Sequence, residues 1–190
     1  MNASDADLVG RVRLGERDAF SELVQRHQRR LFGLVLMMVR DPDGAQDVTQ
    51  DTFVRAYRHL DQFDVDRAFY PWVATIAVRL SQNWLRQQGR TVRREGTAIE
   101  EAEEPATSAR ALRSIITDER NRQLWHAVAM LPSGERTAVM LHYRDEMPVQ
   151  DAARALGVTT GTIKTLLFRA RRHLRERLSA SLPVREEISK

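Results

Sequence analysis

Cysteine is absent from the 190 residues, which excludes disulfides, thiolate nucleophiles and cysteine-ligated zinc. A chain without it suits a reducing compartment, so a cytoplasmic location is expected. Long hydrophobic runs are missing too. The longest, Leu31 to Val39, falls far short of the ~20 apolar residues that span a bilayer and predicts a buried helix segment rather than membrane insertion. The opening Met1-Asn2-Ala3-Ser4-Asp5 lacks the basic-then-apolar order of a secretion signal. His27, His59, His126, His142 and His173 are scattered without metal-ligand spacing, and no glycine-rich phosphate loop or nucleophile turn is present. No catalytic residue, metal or cofactor is therefore expected, and the chain does not read as an enzyme. Strand patterns, internal repeats and low-complexity tracts are also lacking.

The 42% of hydrophobic residues is enough for packed cores, and the formal net charge of +4 is a sum of segments of opposite sign. Lys164 to Arg177 holds six Lys or Arg against one Glu, Trp84 to Arg94 holds four arginines and no acid, and Glu95 to Glu104 holds five glutamates and no base. Each run alone is compatible with a solvated helix face. Basic runs flanking an acidic one lean towards a polyanionic partner.

Helical punctuation dominates. Ser4 with Asp7 resembles a capping box, Gly15 ends a first short helix, and Asp18 opens a long one through Val39. After Asp41-Pro42 a third helix is expected from about Gly44 to Leu60, with Val48, Phe53, Val54, Tyr57 and Leu60 on one face. The loop Asp61 to Asp66 follows. A fourth helix starts near Phe69, has Pro71 in its first turn, turns Val73, Ile76, Ala77, Leu80 and Trp84 inward, and stops around Gly89. Periodicity fails from there to Thr117, which predicts an acidic flexible linker over 91–117. Beyond it, Thr117 or Asp118 opens a helix through Met130, Ser133 caps another to about Tyr143, Pro148 begins a third, and the last spans about Thr160 to Leu178. The expected fold is all-α: two small helical domains, 1–90 and 118–178, with a frayed tail over 179–190.

The most specific local pattern runs from Pro148 to Thr165. A helix-turn-helix needs a small residue where its helices touch, a turn residue tolerating positive φ four positions later, and a branched apolar residue six beyond. Ala153, Gly157 and Ile163 meet those offsets. Ala152, Leu156, Val158 and Leu166 fill inward positions, leaving Thr159, Thr160, Thr162, Lys164, Thr165 and Phe168 for the outer face. In a major groove, Lys and Thr contact base edges for ~1–3 kcal/mol per good pair, while Arg169, Arg171, Arg172 and Arg175 suit phosphates. Phe168 either packs on the preceding helix or touches a thymine methyl.

In the first half, Asp47-Val-Thr-Gln50-Asp51-Thr-Phe53-Val-Arg55-Ala-Tyr57 resembles the polymerase-docking helix of sigma domain 2. Leu60-Asp-Gln-Phe63, Ala68 to Ala77 and Asn83-Trp84-Leu85 are similar to the promoter-melting segment of extracytoplasmic-function (ECF) sigma factors, in the sigma-70 superfamily of bacterial RNA polymerase. Leu131-Pro132 through Arg172 resembles sigma domain 4, read by these relatives against the minus-35 element. The resemblance implies docking on the β′ coiled coil of core polymerase through Asp47, Gln50, Asp51, Phe53 and Arg55. It also implies partnership with the β subunit and promoter DNA, an anti-sigma protein as regulator, and a stress or envelope response. Minus-10 contacts would come from Phe63, Asp64, Phe69, Tyr70, Trp72, Arg79, Asn83 and Arg86. Three departures bear on this: Arg79 stands where Asn often follows the Ile-Ala pair, Leu166 replaces a commonly basic residue, and Thr49 replaces an apolar one.

Opening a base costs a few kcal/mol and stacking it on an aromatic ring returns ~1–3 kcal/mol, so such a protein would melt DNA only together with polymerase. Trp72 and Phe69 alternatively serve as core residues, which leaves the loop Asp61 to Arg67 as the base pocket. The acidic linker suits either a nucleic-acid mimic in a basic channel or a plain tether. The rival to the whole reading is a stand-alone dimeric helix-turn-helix regulator, which accounts for 118–178 but not for the aromatic loop.

Overall fold

The computed structural model describes residues 3–95 and 119–181, and every regular element among them is helical. The first half comprises α1 (Asp5–Arg13), α2 (Arg17–Val39), α3 (Pro42–Arg58), a 3₁₀ turn (Leu60–Gln62) and α4 (Phe69–Glu95). The second comprises α5 (Glu119–Ala129), α6 (Ser133–Val139), a π turn (Met140–Arg144), α7 (Val149–Leu156) and α8 (Thr160–Ser181). The acidic run beyond Glu95 and the end of the tail lie outside the described residues.

Local chemistry accounts for most boundaries. The Ser4 hydroxyl accepts from the Asp7 amide at 3.1 Å while the Asp7 carboxylate accepts from the Ser4 amide at 3.0 Å, a reciprocal cap that opens α1. Arg40 ends α2 in the left-handed region (φ 61). Asp41 then caps α3 by accepting from the Gly44 amide at 2.8 Å, with Pro42 in the first turn where its missing N–H is harmless. Two expectations are corrected. Ser133 makes no side-chain cap, because Pro132 holds the cap position and Ser133 is already helical. α4 continues past Gly89 to Glu95, since nothing in Gln87–Glu95 breaks a helix and a single glycine inside one costs only about 1 kcal/mol.

Leu31 to Val39 is buried apart from the half-buried Phe32. It forms the spine of the first bundle, on which α1, α3 and α4 pack. On α3 the inward positions are Ala45, Val48, Thr49, Thr52, Phe53 and Ala56, a cleaner helical stripe than the expected one. Val54 and Tyr57, expected inside, are 47% and 43% exposed. The two threonines explain the discrepancy: each hydroxyl donates to the carbonyl four residues back (Thr49 to Ala45 and Thr52 to Val48, both 2.7 Å), so it is buried without an unmet hydrogen bond. Thr49, expected to stand where the family pattern is apolar, is thereby accommodated.

The two halves touch, and their buried apolar side chains form one cluster. α4 packs on α7, and α2 on α6. Asp145, just after the π turn, is the polar centre of the contact. Its carboxylate is fully buried and accepts from the Tyr70 hydroxyl at 2.7 Å and from Arg30 Nε at 3.2 Å, with Arg144 at 3.6 Å. Arg30 also donates to the Asp145 carbonyl and lies over the Tyr70 ring, 3.8 Å from its centroid. Arg144 donates to the Arg30 carbonyl at 3.1 Å and fits because Gly33 has no side chain, since a Cβ there would collide with the guanidinium. Nearby, Arg40 and Arg136 both donate to the Ala129 carbonyl.

Candidate nucleic-acid and polymerase interfaces

Three surfaces carry the residues singled out by sequence. On α3, Asp47, Gln50, Asp51 and Arg55 are exposed. Phe53 is 6% exposed and belongs to the core, because it lies on the inward stripe; it can support a docking face but not form one. In its place stand Val54 and Tyr57, whose ring packs edge-on against Phe20 at 5.0 Å. The sequence signal for them was the 3–4 spacing of the buried stripe, masked by its two threonines.

The second surface is the loop after α3 and the start of α4. Phe63, Phe69 and Trp72 form a mutual cluster with ring centroids 5.0–5.6 Å apart. Phe63, Phe69 and Tyr70, all three expected at the minus-10 strand, are buried (3%, 1% and 4% exposed) and offer no free ring face in this arrangement. Phe69 faces the α2 side, 5.4 Å from His27, and Tyr70 is tied to Asp145. Burial, reinforced by the neighbouring Asp145 carboxylate, pushes the Tyr70 hydroxyl far above its usual range and keeps it a donor. Trp72 is half-buried and lines a cleft of about 480 Å³ with Asp64, Arg67, Ile76 and Arg79; Asp151 and Arg154 of α7 form its opposite wall. The loop residues Asp64 to Ala68 are exposed. Further along α4, Asn83 and Arg86 are exposed and bonded to each other at 2.9 Å.

The third surface is the helix-turn-helix. α7 ends at Gly157, whose φ of 69° is the left-handed turn that its place in the motif requires. The side chains of Ala152, Ala153, Ile163, Leu167 and Ala170 are buried between α7, α8 and their neighbours. Leu156 and Leu166 are half-buried, and Val158, expected inside, is 38% exposed because it sits in the turn itself. Thr159 caps α8, accepting from the Thr162 amide at 3.1 Å. Thr160, Thr162, Lys164, Thr165, Phe168, Arg169, Arg171 and Arg172 are all exposed along one side of α8. Thr162 is engaged with Thr159 and Thr165 donates to the Gly161 carbonyl, so Lys164 and Phe168 project furthest from local bonding. Phe168, 62% exposed, does not pack on the preceding helix. Behind the motif, Glu135 is buried on α6 and pairs with His173 of α8 at 2.7 Å.

Among the described residues no cluster of His, Asp or Glu could hold a metal ion, and no helix is long and apolar enough to cross a membrane.

Comparison with known proteins agrees with this division. Residues 23–91 match the family described as Sigma-70 region 2, and residues 121–174 match Sigma-70, region 4. The RNA polymerase sigma-H factor of Pseudomonas aeruginosa is 34% identical over 173 residues, covering 88% of this chain and 90% of the relative. The ECF RNA polymerase sigma-E factor of Haemophilus influenzae is 32% identical over 181 residues, covering 92% and 95%. Among solved structures, the sigma factor RpoE of Bartonella quintana, crystallised with the anti-sigma factor NepR, superposes with a TM-score of 0.69 at 27% identity, covering 86% of this chain and 98% of that one. CnrH, solved with the cytosolic domain of CnrY, shares the fold with a TM-score of 0.66 at 24% identity, covering 94% and 99%. With both regions matched in order and similarity running along most of the chain, this protein belongs to the extracytoplasmic-function group of sigma-70 RNA polymerase sigma factors, which are transcription initiation factors and not enzymes.

Proposed function

We propose that this sigma factor binds core RNA polymerase through the outer face of α3 and reads promoters with two separate surfaces. Asp47, Gln50, Asp51 and Arg55, with Val54 and Tyr57 between them, make a mixed polar and apolar stripe suited to the β′ coiled coil. The second domain adds a contact to the β subunit. α8 enters the major groove at the minus-35 element, with Thr160, Thr162, Lys164, Thr165 and Phe168 towards base edges and Arg169, Arg171 and Arg172 towards phosphates. The exposed loop 64–68, Trp72 and Arg79 capture the non-template strand at the minus-10 element, with Asn83 and Arg86 following its backbone. The observation that carries the reading is the exposed outer side of α8 on a helix-turn-helix whose inner side is filled, in one chain with an aromatic-walled cleft beside a polar loop.

An anti-sigma protein is the proposed regulator. The Bartonella quintana relative, similar over both domains, is held by one in its solved structure. A stress or envelope signal, sensed elsewhere and relayed through that protein to a factor in the cytoplasm, fits this arrangement.

Purified core polymerase with and without the chain, on a library of randomised promoters, tests the reading. Defined start sites that appear only with the chain, sharing two upstream elements, are expected. A dimer that binds DNA tightly on its own and adds no initiation would overturn it.

A further inference from the structure

We infer that Arg13, at the end of α1, is a positioning residue for minus-10 strand capture, acting through the loop that borders the cleft. This rests on the promoter reading above. Arg13 Nη2 donates to the backbone carbonyls of Leu60 (2.8 Å), Asp61 (3.2 Å) and Phe63. These three oxygens belong to the 3₁₀ turn and its exit, where the chain leaves α3 and has not yet entered α4. Leu60 and Phe63 are anchored inward by their buried side chains, and their carbonyls converge with that of Asp61 on the Arg13 guanidinium. Converging carbonyl dipoles repel one another, and a guanidinium placed among them offsets that repulsion with charge-assisted bonds.

The clamp is held firmly from behind. α1 is fixed to α2 by the buried Leu8 and Val9 and by Asp5, which pairs with Arg26 at 3.1 Å and with His27 Nε2 at 2.7 Å. Beyond the clamp, the loop depends on itself. Asp64 accepts from the Asp66 amide at 3.1 Å and pairs with Arg67 at 3.2 Å, until Phe69 re-enters the core. Arg13 thus fixes the entry to the loop and the aromatic cluster fixes its exit. Arg13 is not among the residues lining the cleft, so it touches the loop and not the strand.

The test uses the full chain with core polymerase on a promoter library randomised at both elements, comparing wild type, Arg13→Met and Arg13→Lys. Met keeps the apolar stem and loses every donor; Lys keeps the charge and three donors. Arg13→Met is expected to flatten base preference at the minus-10 positions by roughly tenfold. Minus-35 preference and affinity for core polymerase should stay at wild-type values while the thermal midpoint falls with the lost donors, and Arg13→Lys should recover much of both losses. Wild-type minus-10 selectivity in Arg13→Met overturns the inference, as does an equal loss at both elements that tracks a lowered thermal midpoint. A wild-type chain that directs no initiation overturns the promoter reading, and the inference with it.

Discussion

The two surfaces proposed to read DNA stand in opposite states. The outer side of α8 is open from Thr160 to Arg172. The side of α4 proposed to capture a strand is partly covered by the second domain, whose Asp151 and Arg154 wall the cleft and whose Asp145 holds Tyr70. A groove-reading helix needs only a filled inner side, so its outer side stays free whatever its neighbours do. A strand-capturing surface mixes aromatic rings with polar groups, and those rings are also what a neighbouring domain can bury. In this arrangement α7 and the minus-10 strand would compete for the same wall.

The largest expected effect would break the comparison at its polar centre. Asp145→Ala leaves Arg30 and Arg144 facing each other without their carboxylate, and should destabilise the chain by about 3 kcal/mol, read from urea unfolding. A loss below about 1 kcal/mol would mean that the contact does not hold the domains together in solution. Lys164→Ala comes next: promoter-specific binding in the polymerase complex should weaken by about 1–3 kcal/mol, with the urea midpoint unmoved. Weakening on all sequences alike would make Lys164 a phosphate contact. Tyr70→Phe keeps the ring under Arg30 and removes one buried hydrogen bond, for about 1 kcal/mol of stability. Unfolding of Tyr70→Phe indistinguishable from wild type would place that bond outside the solution structure. Phe168→Ala should change stability by less than about 0.5 kcal/mol while lowering minus-35 binding, and an unfolding shift larger than this would mean that the ring packs after all.

A pH series sharpens the same comparison. Burial pushes the Asp145 carboxyl above the usual carboxylate range, while Arg144, Tyr70 and Arg30 pull it back. With the folded value above the unfolded one, the folded chain holds the proton more tightly in that window. This group therefore favours folding at acid pH, and its contribution is lost as the pH rises through the folded value. Asp145→Asn should remove that component from the slope of stability against pH; an unchanged slope would assign it to other carboxylates.

Legibility followed the same divide. The capping box at Ser4 and Asp7, the Asp41-Pro42 restart and the Ala153–Gly157–Ile163 offsets are local signals, and each appears at its expected position because its physics is complete within a few residues. The errors arose where one residue type can meet two needs. Thr49 and Thr52 look polar but satisfy their hydroxyls on their own helix, so the buried stripe of α3 was assigned to Val54 and Tyr57 instead. Tyr70 looks like a stacking surface but lies on the core side of α4, where Phe69 also takes the core place that its spacing allowed.

By itself, the sequence determined an all-helical chain of two units and a helix-turn-helix with its basic outer side, because periodicity, caps and turn residues act over short separations, while its motifs carried the resemblance to a family. The tertiary structure alone decided which aromatic rings remain available to a strand, that Asp145 meets Tyr70 and Arg30, 75 and 115 residues away along the chain, and that Arg13 reaches three carbonyls of a distant loop. Such contacts depend on how packed helices bring remote atoms within hydrogen-bond reach. No local pattern of residues encodes that distance.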